Sequence, residues 1–262
     1  MENGSLLGVI YACFIGLIIG SFLNVVIYRL PRAVLDGEDA TLRCLMWPAS
    51  KAPCCGHFLS WRENIPVFSW LALKGHCAHC GKSITPRYLL VEVLTGASFA
   101  WSAWQFGLGL QALVYALLMA LVIALFFIDL ETFLLPDRLT LSMLWLGLLA
   151  STQGYLPVGV IDSIWGACAG FMLPWTINQL YFLVRKHDGF GGGDFKLLAA
   201  LGAWTGWLNI VPILCLASVL GLCVVGLSSL FNRQKLAMGQ AFAFGPYLIV
   251  SGMAILLASL SW

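Results

Sequence analysis

Charge is scarce in this chain: of 262 residues only 10% are Asp, Glu, Lys or Arg, against 60% that are hydrophobic. That balance is too apolar for an ordinary soluble domain and predicts a membrane protein. Six stretches carry no charge at all: 3–28, 93–128, 139–161, 163–184, 197–232 and 236–262. About 20 helical residues cross a hydrocarbon core of roughly 30 Å, so each stretch can span a bilayer. The stretches 93–128 and 197–232 are too long for one span and are expected to fold back, the first at Gly107 and Gly109, the second from Gly206 to its neighbour Asn209. The expectation is an α-helical polytopic membrane protein with about eight transmembrane helices. No Lys or Arg precedes Arg29, so residues 3–28 lack the positive start of a cleavable signal peptide and should persist as the first helix. There is no internal repeat, heptad series or low-complexity tract. No basic stripe with interleaved aromatics is present either, which argues against nucleic-acid binding.

The charges that exist are concentrated. Residues 29–92 hold eight of the 14 Lys and Arg, five of the 12 Asp and Glu, three of the four His and five of the nine Cys. The chain therefore divides into a first helix over 1–28, one small cytoplasmic domain over 29–87, and a seven-helix core over 88–262. With eight spans, every Lys and Arg falls on one side, and the positive-inside bias assigns that side to the cytoplasm. Cysteines there face a reducing compartment, which favours metal binding or plain thiols over disulfides. Cys13, Cys168, Cys215 and Cys223 lie in apolar stretches and are expected to be small packing residues.

Ionisable residues at membrane depth are costly and mark function. Asp129 ends the third span after Phe126, Phe127 and Ile128, and Asp194 opens the sixth after Gly191-Gly192-Gly193. Two carboxylates brought together and partly withdrawn from water cannot both ionise easily, so one keeps its proton while the other polarises a water. The competing acids have simpler explanations: Asp137 follows Pro136 at a helix start, where the helix dipole suits a carboxylate, and Glu131 and Asp188 fit hydrated loops. A second constellation is Cys55 with Cys77-Ala78-His79-Cys80, close to a zinc ribbon, in which two thiolate knuckles complete a tetrahedral site. The second C-x2-C is incomplete, because Ala52 stands where a cysteine is required. Cys54, His57, Cys44 or water could supply the fourth ligand; His76 and His79 fit exposed loop positions. If Cys54 substitutes, its adjacency to Cys55 implies local distortion and a weakened site. The third feature, Gly20-Ser21-Phe22-Leu23-Asn24, suits helix packing.

Together these stretches resemble the type IV prepilin peptidases of the GxGD aspartyl protease class. The matching pieces run in order through Gly20-Ser21-Phe22-Leu23-Asn24, Cys55-Gly56-His57, Ser60-Trp61-Arg62-Glu63-Asn64-Ile65-Pro66, Ser69-Trp70-Leu71, the Cys77 and Cys80 pair, Arg87-Tyr88 and Glu92. They continue with Ile128-Asp129, Leu135-Pro136-Asp137, Gly191-Gly192-Gly193-Asp194 and Phe244-Gly245-Pro246. The resemblance implies a multi-pass enzyme of the bacterial inner membrane, its large loop cytoplasmic. It would remove the short leader of type IV prepilins or type II secretion pseudopilins, with catalysis on Asp129 and Asp194. It also implies N-methylation of the new N-terminus from S-adenosylmethionine, associated with the cytoplasmic domain, whereas Ala52 departs from the family's four-cysteine pattern; the candidate Zn2+ site on Cys55, Cys77, Cys80 and Cys54 comes from the cysteine spacing, with Cys54 standing in for the missing thiolate. No Rossmann glycine fingerprint accompanies that cofactor. Two other classes compete: a proton-coupled transporter, which would place its acids near the midplane of symmetric halves, and a non-enzymatic zinc-domain scaffold, which would leave Asp129 and Asp194 without purpose.

Overall fold

The computed structural model describes residues 5–37, 52, 54–60, 63, 65–186, 191–232 and 242–260. Among them the regular elements are helices: α1 (Leu6–Leu35), α2 (Phe68–Ala72), α3 (Arg87–Phe106), α4 (Leu110–Thr132), α5 (Asp137–Thr152), α6 (Val160–Arg185), α7 (Gly192–Thr205), the 3-10 turn Trp207–Asn209, α8 (Ile210–Asn232) and α9 (Gly245–Leu260). Four helical stretches, Leu6–Leu35, Leu110–Thr132, Val160–Arg185 and Trp207–Leu227, are long and apolar enough to cross a membrane; Gly245–Leu260 is apolar but shorter. Large apolar side chains such as Leu6, Phe14, Ile161, Trp165 and Leu222 are exposed on these helices. An integral membrane protein exposes such faces to lipid, whereas a water-soluble monomer rarely does.

Both fold-back turns lie where the glycines predict them. Gly107 ends α3 at φ +72° and Gly206 ends α7 at φ +82°, each with ψ near 180°, a conformation essentially reserved for glycine that would cost another residue about 1–3 kcal/mol. The first helix departs from expectation, for α1 continues past residue 28 to Leu35 through Pro31, and Leu30, Pro31 and Ala33 are buried. The Arg32 guanidinium stacks on the Tyr28 ring one turn earlier, 3.6 Å from its centroid. Packing, rather than the end of the charge-free run, determines where this helix stops.

The chain forms two compact units, Met1–Ala124 and Leu125–Trp262. In the first, α1 lies against α3 along a glycine seam. A Cβ on Gly16 would sit 2.8 Å from the Thr95 carbonyl oxygen, and one on Gly20 would sit 2.7 Å from the Cα of Glu92. Small residues four apart permit this backbone approach in a membrane helix pair, which is the packing role expected of Gly20. Asn24, one turn further, donates from Nδ2 to the Tyr88 carbonyl at 3.0 Å and ties α1 to the start of α3.

In the second unit α7 is central, and every residue from Leu197 through its neighbours to Thr205 is buried. A helix apolar on all faces belongs in a core. Gly166 of α6 and Gly202 of α7 meet backbone to backbone. Trp204 is fully buried, donating from Nε1 to the Met143 carbonyl at 3.0 Å. The apolar-run cysteines depart from the packing role expected of them: Cys168, Cys215 and Cys223 are exposed and Cys13 is half-buried. The three exposed ones lie on outward faces of their helices, where a small soft side chain suits an apolar surrounding.

Candidate functional site

The second unit brings Asp129 and Asp194 together. Asp129 sits in the last turn of α4, and its carbonyl accepts the Phe133 N–H at 2.9 Å as Phe133 turns left-handed and ends the helix. Asp194 lies in the first turn of α7, its N–H donating to the Gly191 carbonyl at 3.1 Å. The two carboxylates are near enough for the charge of Asp129 to act on Asp194. Asp129 is only 4% exposed, and its Oδ2 is buried with no hydrogen-bond partner among the described residues. A buried carboxylate oxygen left uncommitted beside a second carboxylate is the arrangement that one shared proton and a polarised water would satisfy.

Glycine shapes this pair on both sides. The Gly191 amide faces the Asp194 carboxylate. On Gly193 a Cβ would meet the Leu135 side chain at 2.9 Å. Gly245, the first residue of α9, directs its amide at the Asp129 carboxylate, and a Cβ there would lie 2.6 Å from Oδ2. In the sequence Gly245 is marked as one of the matching pieces and as a Gly-Pro pair opening a helix, and neither signal places it beside Asp129.

The competing acids separate cleanly. Both carboxylate oxygens of Asp137 accept from Lys196 Nζ at 2.6 Å, so an ion pair accompanies the helix-start role expected of it. Glu131 is exposed. Asp188 lies outside the described residues.

In the first unit the thiols of Cys54, Cys55, Cys77 and Cys80 converge, all four sulfurs within 4.8 Å of one another. Neighbouring Sγ separations are 3.9 Å for Cys54 to Cys55, 3.9 Å for Cys55 to Cys77 and 3.2 Å for Cys80 to Cys54. Tetrahedral zinc with Zn–S bonds of about 2.3 Å requires sulfurs roughly 3.8 Å apart, and these residues fit it. Two hydrogen-bonded knuckles present the thiols. In one, Ala52 N–H donates to the His57 carbonyl at 2.8 Å and Gly56 N–H to the Ala52 carbonyl at 2.9 Å; in the other, Cys77 N–H donates to Lys82 at 2.8 Å and Gly81 N–H to Cys77 at 3.0 Å. The repeated pattern makes Ala52 the counterpart of Cys77, Cys55 that of Cys80, and Cys54 that of His79.

The missing thiol is therefore replaced from a different place in the knuckle, and the distortion expected of adjacent cysteines does not break the knuckle's hydrogen bonds. The amides of Cys80 and His79 donate to Cys77 and pull its thiol down to about 6, whereas the hydrogen bond shared with Cys80 pushes Cys54 up to about 12. His57 and His79 stack on each other, ring centroids 4.5 Å apart, and neither belongs to the four-residue group. Cys44 lies outside the described residues. Glu92, a matching piece with no role assigned from sequence, is buried in α3, where Oε2 accepts the Val67 N–H at 2.7 Å.

Two family models match the chain: the bacterial peptidase A24 N-terminal domain over residues 14–106 and the type IV leader peptidase family over residues 116–226. Among similar proteins, the prepilin leader peptidase/N-methyltransferase of Stutzerimonas stutzeri is 41% identical over 271 residues, covering 98% of this chain and 93% of its own length. The one from Dichelobacter nodosus is 41% identical, covering 94% of this chain and 90% of its own. That of Neisseria gonorrhoeae is 40% identical, with 95% and 90% covered. No solved structure matches.

Proposed function

The chain belongs to the type IV leader peptidase family, and from that premise we propose that Asp129 and Asp194 cut the leader from type IV prepilins or type II secretion pseudopilins. The protein is a prepilin leader peptidase, and it methylates the N-terminus that cleavage exposes. The observation that carries the assignment to these two residues is the buried Oδ2 of Asp129, which has no hydrogen-bond partner among the described residues and lies within range of the Asp194 charge. One carboxylate takes a proton from water as that water attacks the scissile carbonyl. The other, protonated, donates to the carbonyl oxygen; as the C–N bond breaks, the first carboxyl passes the proton it took from water to the departing amine, and a hydroxyl of the tetrahedral intermediate returns a proton to the second carboxylate as the new acid forms. Gly191, Gly193 and Gly245 keep side chains away from the pair, leaving room for an extended peptide. Cleavage of a synthetic prepilin by the purified protein in detergent, followed by mass spectrometry of the new N-terminus, tests both activities. Intact prepilin would overturn the peptidase reading, and a cleaved but unmethylated product would overturn the second.

Zn2+ on Cys54, Cys55, Cys77 and Cys80 would pin the two knuckles of a small cytoplasmic domain over 29–87. The methyl donor is S-adenosylmethionine, which supplies an electrophilic methyl group to the free amine. The transporter and scaffold readings fit less well. The acids stand at helix ends, and a scaffold needs no buried carboxylate pair.

Four of the helices are long and apolar enough to cross a membrane; counting the shorter α3, α5, α7 and α9 as spans as well gives the eight of this reading, with all Lys and Arg on the inner-membrane cytoplasmic side. A cysteine introduced near residue 40 should resist an impermeant thiol reagent in intact cells and react after lysis. Labelling before lysis would reverse the orientation.

Gly245→Ala should cost most of the cleavage, because its Cβ would occupy the space of Asp129 Oδ2. Overpacking of this kind destabilises by about 1–3 kcal/mol, too little to unfold the enzyme but enough to displace the carboxylate. Normal kcat in Gly245→Ala would show that Asp129 tolerates that displacement.

A further inference from the structure

The first unit holds a half-open cavity of about 550 Å3 between the end of α1, the start of α3, Trp70 of α2 and the Cys77 knuckle. Its size is that of a pocket for a drug-sized ligand. We propose that S-adenosylmethionine binds here, with the Glu92 carboxylate as counter-charge to its sulfonium and with Asn24 Oδ1 and Trp70 Nε1 as hydrogen-bond partners of its polar edges. The inference rests on the methylation reading above.

Three features of the wall point to that ligand. Asn24 Oδ1 and Trp70 Nε1 are buried and have no hydrogen-bond partner among the described residues, and both residues line this cavity. Asn24 is 5% exposed, and its Nδ2 is already committed to the Tyr88 carbonyl, so the unsatisfied atom is the oxygen. Buried polar atoms are ordinarily paired, and an orphan acceptor and an orphan donor on one cavity ask for a ligand with both functions. The adenine ring, with an amino group and ring nitrogens, has both.

The second feature is charge. Glu92 is 9% exposed, and the partners of its carboxylate are neutral, the Val67 N–H and the Ser21 hydroxyl. A carboxylate buried with neutral partners favours a cationic ligand. The ammonium of the methyl donor is balanced by its own carboxylate, for which Arg29 also lines the cavity, so the sulfonium is the charge left to answer. The third feature is the aromatic lining of Tyr28, Trp70 and Tyr88, whose ring faces attract a desolvated cation. Glu63, the other acid on the wall, is held by the Ser60 amide and hydroxyl at 2.7 Å each.

Calorimetric titration of the full-length protein in detergent with S-adenosylmethionine and with S-adenosylhomocysteine tests the site without relying on turnover. The two ligands differ by the methyl group and the sulfonium charge. Glu92→Gln should weaken S-adenosylmethionine by about tenfold or more, as loss of a charge-assisted contact does, with a clearly smaller effect on S-adenosylhomocysteine. Trp70→Phe should weaken both. Unchanged binding in both variants, or an equal loss of both ligands in Glu92→Gln, would overturn the assignment of Glu92. Photo-cross-linking of labelled donor to the unaltered protein needs no variant to fold. Label on peptides within 21–29 or 67–92 supports the site, and label within 125–262 overturns it. Failure of the unaltered protein to bind the donor at all would overturn the methylation reading with it, whereas binding that maps elsewhere overturns only the site.

Discussion

Asn in place of either Asp129 or Asp194 should abolish prepilin cleavage, and Asn at both positions should be no worse than Asn at one. A positioned acid or base contributes about 10²–10⁴-fold to rate, and two groups that share one proton act as a unit, so their losses do not add. Asn keeps the shape of the side chain and removes only its capacity to exchange a proton. Asp137→Asn is the control, because Asp137 is paired with Lys196 and an exposed ion pair is worth about 0–1 kcal/mol; substantial activity should remain. For the same reason the cleavage rate should be bell-shaped in pH, highest between the two apparent pKa values of the pair. If Asp129→Asn processed prepilin at a near-normal rate while Asp137→Asn did not, catalysis would rest on Asp137 and not on Asp129. A rate flat from acid to alkaline pH in folded protein would refute the shared proton.

The membrane-spanning character and the fold-back turns were legible because they follow from local quantities. A run of 36 charge-free residues is too long for one bilayer crossing, and a glycine within it marks where the helix can break. The aspartates were legible for the same reason: a carboxylate directly after Phe126, Phe127 and Ile128 is anomalous in its own neighbourhood. What stayed hidden depends on residues distant in the chain. Lys196 answers Asp137 across 59 positions, and Gly245 meets an aspartate 116 residues earlier (245 − 129). No periodicity announces such pairs. Glu92 gave no signal as a buried acid, since a single Glu five residues into a helix reads as an interfacial charge until the cavity beside it is known. The first helix ran beyond its apolar segment because Leu30 and Ala33 find a packing surface that composition does not reveal. The cysteine pattern was half legible. Spacing exposed the gap at Ala52 and offered four ways to fill it, while the knuckle hydrogen bonds single out Cys54 as the thiol that joins the other three.

That substitution leads to the second large effect, the dependence of the two activities on metal. The four thiols lie in Met1–Ala124 and the two aspartates in Leu125–Trp262, so chelation should suppress methylation and leave cleavage largely intact. Cys54→Ser should weaken zinc retention by at least about tenfold, since even changes outside the ligand set of a metal site cost about 10–100-fold. Adding Ala52→Cys to Cys54→Ser should restore it, because residue 52 holds in its knuckle the place that Cys77 holds in the other. Acid should act in the same direction as the chelator. Thiolates bind zinc and thiols do not, so retention falls as protons compete. The measurement is metal content per chain after dialysis against chelator, taken on the preparation used for both assays. Zinc held as tightly by Cys54→Ser as by the parent would mean that another group completes the site. Cleavage lost in step with methylation as the metal leaves would mean that the thiol cluster supports the aspartate unit as well.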